Sequence, residues 1–152
     1  MERSPVLTMH RIAPLLVALL LALNAQAGSR QVVLVVNADG PIAKLDPIEI
    51  RKVFLGLPVM RFAHVLHPIR NASDGQLEQI FLQDIVAMSQ SAYDRRVLGL
   101  VLRQGKPRPT ELSRRDAVLA VLYADPYAVS YMWLSDVAGN PRIRILRILW
   151  SD

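Results

Sequence analysis

The chain is 152 residues long, carries 18 Lys and Arg against 13 Asp and Glu for a formal charge of +5, and contains no cysteine. Lack of cysteine excludes disulfides, thiolate metal sites, a cysteine nucleophile and a lipid-modified cysteine. The length suits one domain around one core, and the dispersed, mildly basic charge argues against nucleic acid and leans towards small anions.

Arg11 precedes the apolar run Ile12 to Leu23, broken only by Pro14, and Ala25-Gln26-Ala27 follows. A basic start, a short apolar core and an A-x-A site are the parts of a secretory signal peptide. Spanning a bilayer takes roughly 20 apolar residues, so a cleaved leader is preferred over a signal anchor. Met9, directly before His10-Arg11, is an alternative start. The expected organisation is a leader over residues 1–27, cleaved after Ala27, and one domain over residues 28–152. The expected location is the bacterial periplasm, with no stable membrane insertion.

Gln31 to Asn37 (QVVLVVN) is a continuous β-branched run and predicts a buried strand, broken by Ala38-Asp39-Gly40-Pro41. Asp46-Pro47-Ile48-Glu49 predicts a helix start, with Asp as N-cap, Pro at N1 and Glu at N3. Ile48, Val53, Phe54 and Leu55 are its expected buried side, and Gly56 its end. A second strand is expected over Ala63 to Leu66. Leu77, Ile80, Phe81, Ile85 and Met88 then predict a helix from Gly75 to about Met88.

Ser89-Gln90-Ser91 predicts the cap of another helix, Ala92 to Gln104, closed by Gly105. Lys106-Pro107-Arg108-Pro109 is a rigid basic loop that cannot be helical. Ser113 with Asp116 opens a helix through Tyr123. Ala128 to Met132 predicts a strand after the Asp125-Pro126-Tyr127 turn. Gly139-Asn140-Pro141 turns into a final half-exposed strand, Arg142 to Trp150. Strands and helices mix throughout, which predicts an α/β fold.

The candidate site is the turn Arg70-Asn71-Ala72-Ser73-Asp74-Gly75-Gln76. A strand turning tightly into a helix leaves unpaired N–H groups that favour negative charge, and Arg70 stands beside them. Ser, Asp and Gly before an apolar run also begin ordinary helices, so a plain N-cap is the competing reading. A helix N-terminus contributes about 0.3–1 kcal/mol to an exposed anion. Charged hydrogen bonds add roughly 1.5–3 kcal/mol each. Micromolar affinity needs about 8 kcal/mol net, so an open half-site is expected to reach only millimolar affinity.

Four pieces in this order form a pattern: the VVLVVN strand, Leu45 to Gly56, the Arg70–Gly75 turn, and Asp125 to Met132. The pattern resembles the phosphate-binding proteins of phosphate ABC transporters, within the type II periplasmic binding protein superfamily. The resemblance implies a single three-layer lobe, the second lobe only, with a mixed, mostly parallel sheet and flanking helices. It implies a phosphate or similar oxyanion bound through Arg70, Asn71, Ser73, Asp74 and Gly75, without enzymatic activity, cofactor or metal. A transporter, a sensor protein or a second copy of the chain is the implied partner. Anchored on Arg70, the family's R-x-D-G-S-G-T is altered: Ala72 stands at its aspartate, Asp74 at its serine and Gln76 at its threonine. Sliding by one or two residues matches Asp74-Gly75 to its Asp-Gly but loses the arginine spacing. An interaction module that keeps the fold without the ligand is the alternative function.

The remaining candidates have structural readings. His64 and His67 lack nearby carboxylates for a metal site, and Asp84 and Asp94 lack the clustering of catalytic acids. Ser73 has no evident relay. Lys106 and Arg108 are read as a solvated loop, Arg142, Arg144 and Arg147 as a solvent-facing strand side, and Trp133 and Trp150 as packing.

Overall fold

The computed structural model describes residues 30–152. The expected leader, the Met9 start and the cleavage site after Ala27 lie outside the described residues. Among the described residues no helix is long and apolar enough to cross a membrane.

The structure is organised by β1 (Gln31–Asn37), whose residues pack on both faces. Val32, Leu34 and Val36 enter one core, Val33 and Val35 the other, and this double burial explains the unbroken apolar run. The five-stranded sheet has the order β5-β4-β6-β1-β7. β4 (His67–Asn71) is parallel to β5 (Thr110–Leu112) and to β6 (Ala128–Trp133). β1 is antiparallel to both β6 and β7 (Ile143–Ser151). Four strands therefore run one way and β1 alone opposes them, as the mixed, mostly parallel expectation requires.

Helices cover both faces. On one side are α1 (Pro47–Phe54), α2 (Gly75–Ile80), continued by a π-helical turn at Phe81–Ile85, and α3 (Gln90–Gln104). Phe54, Phe81 and Tyr131 form the centre of that core, with Phe81 stacked on Tyr131 at 5.3 Å. On the other side, α4 (Arg115–Ala124) and α5 (Leu134–Val137) bury Val118, Leu122 and Val137.

Local chemistry explains several boundaries. Asp46 and Glu49 close a reciprocal capping box on α1. Ser89 caps α3 through the Ala92 amide, and Gly105, at φ +63°, ends it. Other expectations are corrected. Ile48 is 67% exposed, and Ile50 takes the buried position. The strand expected at Ala63 to Leu66 is instead half of a small hairpin, β2 (Met60–Arg61) with β3 (His64–Val65). Its turn is Phe62-Ala63, both residues at positive φ. The sheet strand begins later, at His67, because β4 is paired on both sides by chain segments distant in sequence. The short elements β5 and α5 carry too few residues to show a hydrophobic period in the sequence.

Candidate functional site

β4, β5 and β6 end on the same edge of the sheet, beside the start of β1. Ala72–Asp74 leads from β4 into α2, Ser113–Arg114 leads from β5 into α4, and β6 passes directly into α5. An open cleft of about 710 Å³ lies there, lined in part by Arg30, Ser73, Asp74, Arg114, Arg115 and Trp133. Crevices at the carboxyl ends of parallel strands are where open α/β sheets bind ligands.

Within this cleft Asp74 is the N-cap of α2. Its Oδ1 accepts the Gln76 amide at 2.7 Å and its Oδ2 accepts the Trp133 indole N–H at 3.1 Å. Partial burial pushes this carboxyl up, but the Gln76 amide, the Trp133 indole, the Leu77 amide and the Arg30 charge together hold it below the usual value. Both oxygens are engaged and the group is ionised at neutral pH, so it opposes an incoming anion. Ser73 is turned back on the strand: its amide and its hydroxyl both donate to Asn71 Oδ1, at 3.1 and 2.6 Å. Asn71, fully buried, completes the turn by donating from Nδ2 to the Tyr131 carbonyl at 3.0 Å. Gly75 opens α2 on the exposed side, and a Cβ there meets nothing within 4 Å.

Arg70 is elsewhere. It lies inside β4, not in the turn, and points to the α2–α3 side of the sheet with its side chain 6% exposed. Its guanidinium pairs with Glu78 at 3.0 Å and Glu111 at 2.7 Å. The Phe81 and Tyr93 rings lie 4.8 and 4.9 Å from its central carbon. Nε has no hydrogen-bond partner. Burial pushes the Tyr93 phenol up to about 12, with the Arg70 charge pulling the other way. The expectation that Arg70 shares one electropositive nook with the start of α2 is corrected here. Strand alternation sends Arg70 to the face opposite Ile69, where two carboxylates and two rings already hold it.

The cations that do face the cleft went unnoticed in the sequence. Arg30 donates to Gln76 Oε1 at 2.6 Å and lies 4.0 Å from the Trp133 ring centre. Arg115 pairs with Asp136 at 2.9 Å and Arg114 with Asp116. The Arg114 and Arg115 side chains are 75% and 61% exposed. Exposed pairs of this kind contribute about 0–1 kcal/mol, so their partners exchange easily. The Ser-Arg-Arg-Asp run before α4 was the available signal, but it reads equally well as an ordinary helix start.

Of the other candidates, His67 Nδ1 meets Asp125 Oδ2 at 2.6 Å and His64 stacks on Tyr127 at 4.4 Å. No group of three or more His, Asp or Glu suited to a metal occurs among the described residues. Trp133 packs edge-on against Trp150 at 6.0 Å, yet it also lines the cleft and fixes Asp74.

No family model and no curated protein matches the chain. Solved structures do. A phosphate ABC transporter substrate-binding protein with bound phosphate from Clostridium perfringens superposes with a TM-score of 0.58 at 10% identity, over 78% of this chain and 45% of that one. An ABC-type phosphate transport receptor from Vibrio cholerae gives 0.53 at 9% identity, over 78% and 46%. PstS from Borrelia burgdorferi gives 0.54 at 11% identity, over 78% and 47%. The chain thus has the fold of part of these substrate-binding proteins and spans less than half the length of each.

Proposed function

We propose that this chain is an exported, single-lobe oxyanion-binding domain, with phosphate its reference ligand. The anion enters the cleft at the carboxyl ends of β4, β5 and β6. The observation that carries the reading is the pair Arg114 and Arg115. Both are largely exposed at the start of α4, in weak surface ion pairs that a tetrahedral anion can replace. Gly75 leaves open space above the start of α2 for the same anion. Ser73 contributes its hydroxyl after rotating away from Asn71, and Asp74 borders the site, where its engaged, ionised carboxylate opposes the anion and holds the affinity down. Arg70 and Asn71 position the turn from behind.

Two or three charged hydrogen bonds of roughly 1.5–3 kcal/mol each, less the cost of immobilising the ion, give millimolar affinity. A domain of that affinity acts as a periplasmic sensor or as one part of an assembled carrier, with a transporter, a sensor protein or a second copy as partner. Removal of residues 1–27 as a leader belongs to the same reading. The domain holds its ligand without turning it over.

A second reading is an interaction module without ligand. It is favoured by one observation: the Ser73 and Gln76 amides and the Arg70 guanidinium already have internal partners. Calorimetric titration with phosphate and with sulfate separates the two. Saturable heat at millimolar phosphate, abolished by Arg114→Ala with Arg115→Ala, supports the oxyanion reading. A flat titration with both ions leaves the interaction module.

A further inference from the structure

At the other end of β4 from the cleft lies a second concavity of different chemistry. Its sequence origin is Lys106-Pro107-Arg108-Pro109, whose prolines fix the backbone and remove two N–H donors. This loop returns the chain from α3 to β5 and passes Gly56, the residue that turns the chain after α1 at φ +77°. A Cβ at Gly56 would stand 3.9 Å from Pro109 Cγ, so turn and loop lie against one another. Between them opens a groove of about 390 Å³, within the range that takes a small ligand.

Its walls are mainly apolar. Leu57, Pro58, Val65, Pro107 and Pro109 are among them, and Val65 is 43% exposed although it is aliphatic. The charged side chains along the groove are Lys106 and Arg108, and no carboxylate lines it. Neither cation forms an ion pair among the described residues. His67, at the margin, is engaged with Asp125. Arg108 also borders a neighbouring concavity that holds Glu78, Asp94 and Glu111, so Lys106 is the cation that belongs to the trough alone. An apolar trough with two cations along it and no acid in its own lining disfavours organic cations, and a bare inorganic anion leaves its walls unused.

We propose that this groove binds amphiphilic carboxylates, an aliphatic chain or ring lying on Leu57, Val65 and Pro109 with its carboxylate held by Lys106 and Arg108. The apolar body supplies the driving force, about 0.8 kcal/mol for each methylene it buries, and the cations select the headgroup. The site is separate from the oxyanion cleft, so phosphate does not compete for it.

The test titrates the protein with octanoate, octylammonium and inorganic phosphate, below micelle-forming concentrations, while backbone amide NMR shifts are followed. Octanoate is expected to saturate, with shifts centred on Leu57, Val65 and Thr110 and unchanged by excess phosphate. Lys106→Glu with Arg108→Glu, in an exposed loop, is expected to weaken octanoate at least about tenfold. Val65→Glu supplies an independent check on the apolar wall and is expected to weaken it too. Equal binding of octylammonium, shifts that map to the Arg114 cleft, or failure of octanoate to saturate overturns the proposal. Each of these results can occur whether or not phosphate binds in its own cleft.

Discussion

Arg70 and Glu111 stand directly opposite each other on the parallel strands β4 and β5, and their side chains meet at 2.7 Å. This pairing ties an edge strand of three residues to the body of the sheet. It also removes the arginine from the start of α2, and Arg70 is not among the residues that line the cleft.

Arg70→Ala is therefore expected to lower stability without lowering phosphate affinity. Glu78 and Glu111 are 40% and 51% exposed and regain water when the pair is broken. The main loss is packing between Phe81 and Tyr93, and a cost of about 2–4 kcal/mol is expected in urea unfolding. Arg70→Met restores part of it. A drop in phosphate binding with unchanged unfolding would return Arg70 to the ligand set.

Asp74 links stability to pH. Its carboxyl lies below its ordinary value in the folded state, so the unfolded chain binds the proton more readily. The contribution is complete above the unfolded value of about 3.9 and disappears as pH falls through the lower folded value. Asp74→Asn is expected to flatten that acid limb and shift Trp133 fluorescence. Because it deletes a negative charge from the cleft, it also tightens phosphate. Weaker phosphate binding by Asp74→Asn would mean that the carboxylate accepts a proton from the ligand.

Two glycines should respond oppositely to alanine. A Cβ at Gly40 falls 2.5 Å from the Pro126 carbonyl oxygen, a backbone atom that cannot swing aside, so Gly40→Ala costs about 1–3 kcal/mol. Gly75→Ala meets open space and leaves thermal unfolding unchanged or raised. If an anion rests above Gly75, the same change weakens phosphate at constant stability, a difference calorimetry can read.

Arg114→Ala with Arg115→Ala is expected to abolish phosphate heat while leaving the denaturation midpoint nearly in place, because exposed pairs contribute little. The counterpart Asp116→Asn with Asp136→Asn frees both arginines and raises the affinity. Unchanged phosphate binding in both variants would move the anion site away from α4.

The legible part of this chain is what neighbouring residues decide among themselves. The Asp46–Glu49 box, the Ser89 cap and the Gly105 stop each act within one helical turn, and all three were readable as sequence. The doubly buried β1 was readable too, from its unbroken β-branched run. The hairpin at Phe62-Ala63 and the three-residue β5 were not, since short elements carry too few residues to show a period. The Arg70–Gln76 stretch does turn from a strand into a helix, and Asp74 caps that helix.

What the sequence could not decide was the direction in which each charge points and what it meets. The sheet sends Arg70 inward to Glu111 and the aromatic rings. It also brings Arg30, Arg114 and Trp133, from three separate segments, to one cleft. Local hydrogen bonds and periodicity set the helices and strands, because their partners lie a few residues apart. The ownership of a guanidinium was settled only by long-range packing, because its nearest carboxylates arrive from strands and helices folded later along the chain.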